Sequence, residues 1–144
     1  MPSALFTIGY EGLALDQLIA ELQAHRIDRV IDIRELPLSR RRGFSKTPLR
    51  EALAAEGIEY VHLREAGNPY RREKDLIERD ELLAKYRAHL NSARPVVTHV
   101  ADAVRDHRAA LLCYEHDPAI CHRAILAPRV ARKLGIRVTN LVVG

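Results

Sequence analysis

The residues best equipped for chemistry in this chain lie in one stretch, Cys113-Tyr114-Glu115-His116-Asp117-Pro118-Ala119-Ile120-Cys121-His122-Arg123. Three chemistries compete for it. A zinc site could draw on Cys113, His116, Cys121 and His122. Their Cys-x2-His-x4-Cys-His spacing fits no standard zinc pattern, and adjacent side chains on a helix diverge, so no metal is expected. A thiolate nucleophile at Cys121 could use His62 or His122 as its base. Cys121 and Arg123 stand too close in sequence for a cysteine-phosphatase loop. Carboxylates are the third option: Glu11 and Glu115, at the ends of different strands, could serve as acid, base or nucleophile. For the cysteine, the plain reading as a small, partly buried helix residue is preferred.

Local signals place these groups. Asp117 is a good helix cap and Pro118 a good first helical residue, which puts Cys121 in the first turn of the last helix. There the helix dipole and Arg123 would both lower its thiol pKa. The free N–H groups of that turn would also suit an anion.

Other polar groups follow other strands. Thr7-Ile8-Gly9-Tyr10-Glu11-Gly12 offers a tight turn from which Tyr10 and Glu11 project. It is neither a dinucleotide fingerprint nor a phosphate loop. Asp32 and Arg34 share a face at the end of a second strand, a spacing that usually makes a loop-fixing pair. Ser39, Arg40, Arg41, Arg42, Phe44, Ser45 and Lys46 combine hydroxyls, guanidinium forks and an aromatic ring, a mixture that suits a phosphate or a nucleic-acid backbone as well as it suits a solvated loop. Tyr60 and His62 share a face of a third strand. A single histidine there is more often a hydrogen-bonded structural group than a catalyst.

Stepping outward, the elements that position these groups alternate short apolar runs with helical periodicity. Strands are expected at 4–8, 29–33, 58–63, 109–113 and 136–143. Helices are expected after Leu15, from Thr47-Pro48 to Gly57, at 80–90, at 96–105, and from Asp117-Pro118 to Gly135, with Pro128 kinking or splitting the last. Ala109–Cys113 is apolar throughout, as in a central strand buried on both faces. The reading is a single-domain three-layer α/β fold over residues 1–144. It has a mostly parallel central sheet of about five strands and helices on both faces. Strand C-termini then share one edge, where such folds bind ligands.

Composition narrows the classes. The 144 residues are 47% hydrophobic and 29% charged, which excludes disorder, collagen and a disulfide scaffold. The N-terminus shows no export signal and no run is long enough to span a membrane, so a cytoplasmic protein with free thiols is expected. The net charge of +4, carried mostly by arginine, hints at an anionic partner.

Four blocks together resemble a bacterial and archaeal family, the domain of unknown function 488 family. They are TIGYEG at Thr7–Gly12, IDIRELPLSRRRGFSK at Ile31–Lys46, YVHL with AGNP within Tyr60–Pro69, and LLCYEHDPAICHR at Leu111–Arg123. The resemblance implies one compact α/β domain with a site at the strand ends, and no particular reaction. Both routes select Tyr10, Glu11, Asp32, Arg34, Ser39, Arg40, Arg41, Glu115, Cys121, His122 and Arg123. The expectation is an enzyme-like domain acting on a phosphate-bearing ligand, a nucleotide or nucleic acid, with no cofactor. Arg34, Arg40, Arg41 and the Cys121–Arg123 helix start would hold the anion, with Tyr10, Asp32, Ser39, His62 and His122 around it. Glu11 and Glu115 would act on it, for example in N-glycosidic cleavage. The alternatives are a non-catalytic binding module and a thiol-dependent hydrolase or transferase using Cys121.

Overall fold

The computed structural model describes residues 2–70, 73, 76–92 and 95–143. Five strands, β1 (Ala4–Gly9), β2 (Arg29–Asp32), β3 (Glu59–His62), β4 (Arg108–Cys113) and β5 (Val138–Leu141), form one parallel sheet in the order β3-β2-β4-β1-β5. The helices are α1 (Leu15–Ala24), α2 (Lys46–Ala55), α3 (Arg79–Ser92), α4 (Pro95–Val104) and α5 (Arg123–Leu134).

Strand β4, apolar from Ala109 to Cys113, is the middle strand, as that run predicts. Side chains alternate along it, so it feeds two hydrophobic layers. Ala110 and Leu112 join Phe6, Ile8, Val30 and Leu141 beneath α1 and α2, where Leu18, Leu22, Leu49 and Leu53 are buried. Ala109, Leu111 and Cys113 join Leu5 and Ile31 on the other face, under Tyr86, Leu90, Val100, Val104, Leu126 and Val130 of α3, α4 and α5. The Thr7 hydroxyl donates to Asn140 Oδ1 at 2.5 Å and fastens edge strand β5 to β1.

This connectivity makes a crevice. The chain leaves β2 toward β3, and leaves β4 over β1 toward β5. The two neighbours diverge at their C-terminal ends, the arrangement that opens a ligand crevice in parallel sheets.

Three local expectations change. Helix α2 starts at Lys46, with Ser45 preceding it. Pro48 still falls in the first turn, where its missing N–H costs nothing. Pro128 does not split α5, which runs through it. Ala124 and Pro128 are both exposed, so the carbonyl relieved of its partner lies at the solvent face. The largest change is at the start of that helix. Asp117 does cap a turn, its carboxylate accepting from the Ala119 N–H at 2.9 Å, but the turn is a 3-10 helix of three residues, Pro118–Ile120. Cys121 then returns to extended backbone, φ −107° and ψ 150°. The α-helix begins only at Arg123, so Cys121 is not in its first turn. At the far end Gly135, with φ 68°, closes α5 as expected.

Candidate functional site

The end of β4 and the start of α5 build a cluster of titratable groups at the crevice edge. The β1–β4 ladder continues past the strands: Tyr10 N–H donates to the Cys113 carbonyl at 3.1 Å and Glu11 N–H to the Tyr114 carbonyl at 2.8 Å. Gly9 lets the following turn close in. A Cβ there would stand 1.7 Å from the Glu115 carbonyl oxygen. Into this space comes the fully buried guanidinium of Arg123. It donates to Cys113 Sγ at 2.5 Å, to the Glu115 carbonyl at 2.8 Å and to the His116 carbonyl at 3.2 Å. Among the described residues its Nε has no hydrogen-bond partner. No carboxylate among them is within ion-pair distance of Arg123, and the charges that act on it come from the neighbouring sulfurs and Glu115.

Cys121 Sγ, Cys113 Sγ and a Glu115 carboxylate oxygen all lie within 4.8 Å of one another. The extended backbone at Cys121 also brings its sulfur 3.6 Å from His122 Nδ1. The sequence expectation that these neighbours diverge presumed a helix; the extended residue removes the presumption. His122 Nε2 donates to the Ile33 carbonyl at 2.9 Å, which directs Nδ1 at the thiol. Tyr86 presents its ring edge-on to the imidazole at 5.0 Å, with its hydroxyl anchored on the Ala66 carbonyl.

The electrostatics of the cluster follow from this geometry. Burial opposes a Cys121 thiolate, but the Cys113 thiol, the His122 imidazolium and Arg123 together outweigh it and hold Cys121 well below the ordinary thiol range. Burial likewise opposes the His122 cation, and the Cys121 charge overcomes it and raises the imidazole pKa. Burial, then the Cys121 and Glu115 charges, push Cys113 up, so it keeps its proton. Burial and Cys121 raise Glu115 too. These shifts favour a thiolate–imidazolium pair beside a thiol and a carboxyl that both hold their protons more tightly.

Cys113, Glu115 and Cys121 are also the set, among the described residues, spaced to hold a metal ion. The Arg123 guanidinium already sits on Cys113 Sγ, a positive charge where a cation would have to bind.

A second cluster fixes the β2–α2 loop. Arg34 grips buried Asp32 with two bonds, Nε to Oδ1 at 2.9 Å and Nη2 to Oδ2 at 2.7 Å. It also donates to the Phe44 carbonyl and the Tyr10 hydroxyl. Asp32 further accepts from Tyr60 at 2.5 Å, and burial with that carboxylate raises the Tyr60 pKa. Tyr10 stacks on Phe44 with centroids 4.6 Å apart. Arg41 donates to the carbonyls of Tyr10 and Leu13. The Ser39 hydroxyl accepts from the Arg41 N–H, and Ser45 closes back on Ser39.

The structure shows what each candidate from the sequence touches at this edge. Arg34, Arg41 and Arg123 are expected from sequence to hold an anion; in the structure Arg34 donates to a carboxylate, a carbonyl and a hydroxyl, Arg41 to carbonyls, and Arg123 to a thiol and two carbonyls. Arg40, with Arg42 and Lys46, stays exposed. Glu11 stands at the same edge as Glu115, but its carboxylate accepts from the His116 N–H at 3.0 Å and so braces the turn. His62 donates from Nε2 to the Arg34 carbonyl and lines a cleft of about 560 Å³ with Glu35, Arg64, Gly67 and His89. Cys113, Glu115 and Cys121 do not line that cleft. Cys113 was weighed only as a zinc ligand. Its spacing to Glu115, two residues on in an extended chain, was the signal that both share a face.

Sheet order, diverging strand ends and the thiol–imidazole cluster together define a doubly wound parallel α/β domain with its candidate site at the crevice. Residues 14–130 match the family described as Domain of unknown function DUF488, and the chain belongs to that family. That span holds both clusters except the β1 turn with Tyr10 and Glu11. No curated protein and no solved structure matches the chain.

Proposed function

We propose that this is a thiol-dependent hydrolase or transferase with Cys121 as nucleophile. The observation that carries the reading is the 3.6 Å approach of Cys121 Sγ to His122 Nδ1, with the far imidazole nitrogen held by the Ile33 carbonyl. A nucleophile, a base within reach and a third group orienting the base is the arrangement that activates a thiol. Cys121 attacks an electrophilic carbon or phosphorus. The departing group takes a proton from His122 or Glu115, and water or an acceptor then releases the bound group. Arg123 offsets negative charge that develops beside the sulfur. The exposed Arg40, Arg42 and Lys46 follow β2 at the same sheet edge and favour a phosphate-bearing substrate.

Because Cys121 is only 1% exposed, the first test must not depend on access. The ultraviolet absorbance of the thiolate is followed against pH in wild type and Cys121→Ser. A thiolate already present near neutrality, absent from the variant, supports the reading; absorbance rising only in the ordinary thiol range refutes it. A panel of phosphate esters, anhydrides and thioesters then seeks turnover abolished in Cys121→Ser. Binding of phosphorylated compounds without turnover would instead favour a non-catalytic module built on the basic loop.

A further inference from the structure

We propose that Cys121 and Cys113 form a two-thiol couple that reduces small hydroperoxides, Cys121 attacking and Cys113 resolving. The inference rests on the reading of Cys121 as the nucleophile and adds a substrate class and a partner residue. The structure describes two free cysteines, both buried, with sulfurs no more than 4.8 Å apart. A disulfide needs about 2.05 Å between sulfurs, so oxidation must draw the pair together from its reduced spacing. Burial on this scale excludes bulky oxidants, so the proposal takes a small one, a hydroperoxide close to water in size.

The steps balance as follows. The Cys121 thiolate attacks one peroxide oxygen; an S–O bond forms and the O–O bond breaks. The departing hydroxide, or alkoxide, takes the proton of the His122 imidazolium and leaves as water or alcohol, with Cys121 now a sulfenic acid. The Cys113 sulfur then attacks the Cys121 sulfur. The S–O bond breaks, and the hydroxide lost takes the Cys113 proton and leaves as a second water. The two sulfurs have given up two electrons in total and the peroxide has accepted them. An external dithiol returns the pair to the reduced form by exchange.

Arg123 favours this assignment by its place. Its guanidinium stands beside Cys113 Sγ and is held by the carbonyls of Glu115 and His116. The cation touches the sulfur that attacks in the second step, and it keeps its two carbonyl partners once the sulfurs have joined. Cys113 also protects the nucleophile: a sulfenic acid captured at once does not proceed to sulfinic acid.

The test treats reduced full-length protein with one equivalent of hydrogen peroxide, then denatures and alkylates it. The expected result is loss of both alkylatable thiols, a mass lower by two hydrogens and a Cys113–Cys121 linked peptide. Cys113→Ser should stop at a sulfenic acid on Cys121 that dimedone traps. Oxidation of wild-type Cys121 to sulfenic or sulfinic acid without the linked peptide overturns the couple, as does a disulfide found only between molecules. The wild-type peptide map decides this even if the variant misfolds. The parent reading fails separately, by an absent thiolate absorbance near neutrality. A thiolate that is present while the linked peptide is absent leaves that reading standing and sinks only the couple.

Discussion

The carbonyl oxygen of Glu115 occupies the space that a side chain on Gly9 would need: an added Cβ would stand 1.7 Å from it and 2.8 Å from Arg123 Nη1. Both neighbours are locked, the carbonyl by Arg123 and Arg123 by two carbonyls and a thiol. Gly9→Ala should therefore cost about 3 kcal/mol or more, the range of overpacked and broken buried networks. Urea unfolding measures it. A loss under 1 kcal/mol would mean that the turn gives way easily.

The thiolate–imidazolium pair makes stability depend on pH in a particular shape. Cys121 has a folded pKa below its ordinary 9.0, so its contribution is complete above that value and is lost as pH falls through the folded pKa. His122 has a folded pKa above its ordinary 6.5, so its contribution is complete below that value and is lost as pH rises through the folded pKa. Between the two ordinary values the Cys121 part rises with pH while the His122 part falls, so the two offset each other. Subtracting the unfolding free energy of Cys121→Ala from that of wild type across pH should therefore show a smaller slope there than the thiol alone would give. A difference that climbs steadily with pH would show that His122 is not charged with the thiol.

Activity variants separate thiol from carboxylate chemistry. From sequence, Glu11 and Glu115 are the expected catalysts, with a Cys121 thiol as the alternative. The proposed thiol mechanism puts Cys121 first. Cys121→Ser should lose at least about a hundredfold in kcat/KM, roughly 2.7 kcal/mol of barrier, and His122→Gln nearly as much. Glu115→Gln should lose about tenfold, as an assisting proton donor. Steady-state kinetics on any substrate the panel yields would decide; an active serine variant beside a dead glutamine variant restores the carboxylate mechanism.

Arg34 and Arg40 should fail in different ways. Removing Arg34 strands buried Asp32, which costs about 3–5 kcal/mol; Arg34→Met with Asp32→Asn should recover much of it. Arg40→Ala together with Arg42→Ala should leave stability within about 0.5 kcal/mol and weaken a phosphorylated ligand. Thermal melts with and without ligand read both quantities. A large loss of stability in the Arg40 and Arg42 variant would show that the loop is structural.

Much of the fold was legible because burial writes itself into residue type. The unbroken apolar run Ala109–Cys113 can only be a central strand, and Leu15, Leu18 and Leu22 recur at helical spacing. The start of α5 was not legible. Asp117-Pro118 is a sound helix opening by local rules, and nothing local announces that Cys121 turns extended. That turn is set by partners distant in sequence, the Ile33 carbonyl for His122 and the Cys113 sulfur for Arg123. The arginines misled for a related reason. Sequence shows which side chains are charged, while the carbonyls that converge on them, such as Tyr10 and Leu13 on Arg41, are supplied by the chain's path.

The two hydrophobic layers meet only across the sheet, and each supports a different part of the site. Cys113, Cys121 and Tyr86 pack with the layer under α3, α4 and α5, whereas Tyr10, Phe44 and Leu49 pack with the layer under α1 and α2. The thiol cluster and the basic loop are therefore nearly independent targets for variation. Residues around Arg40 and Arg42 can thus be exchanged with little effect on the packing around Cys113 and Cys121.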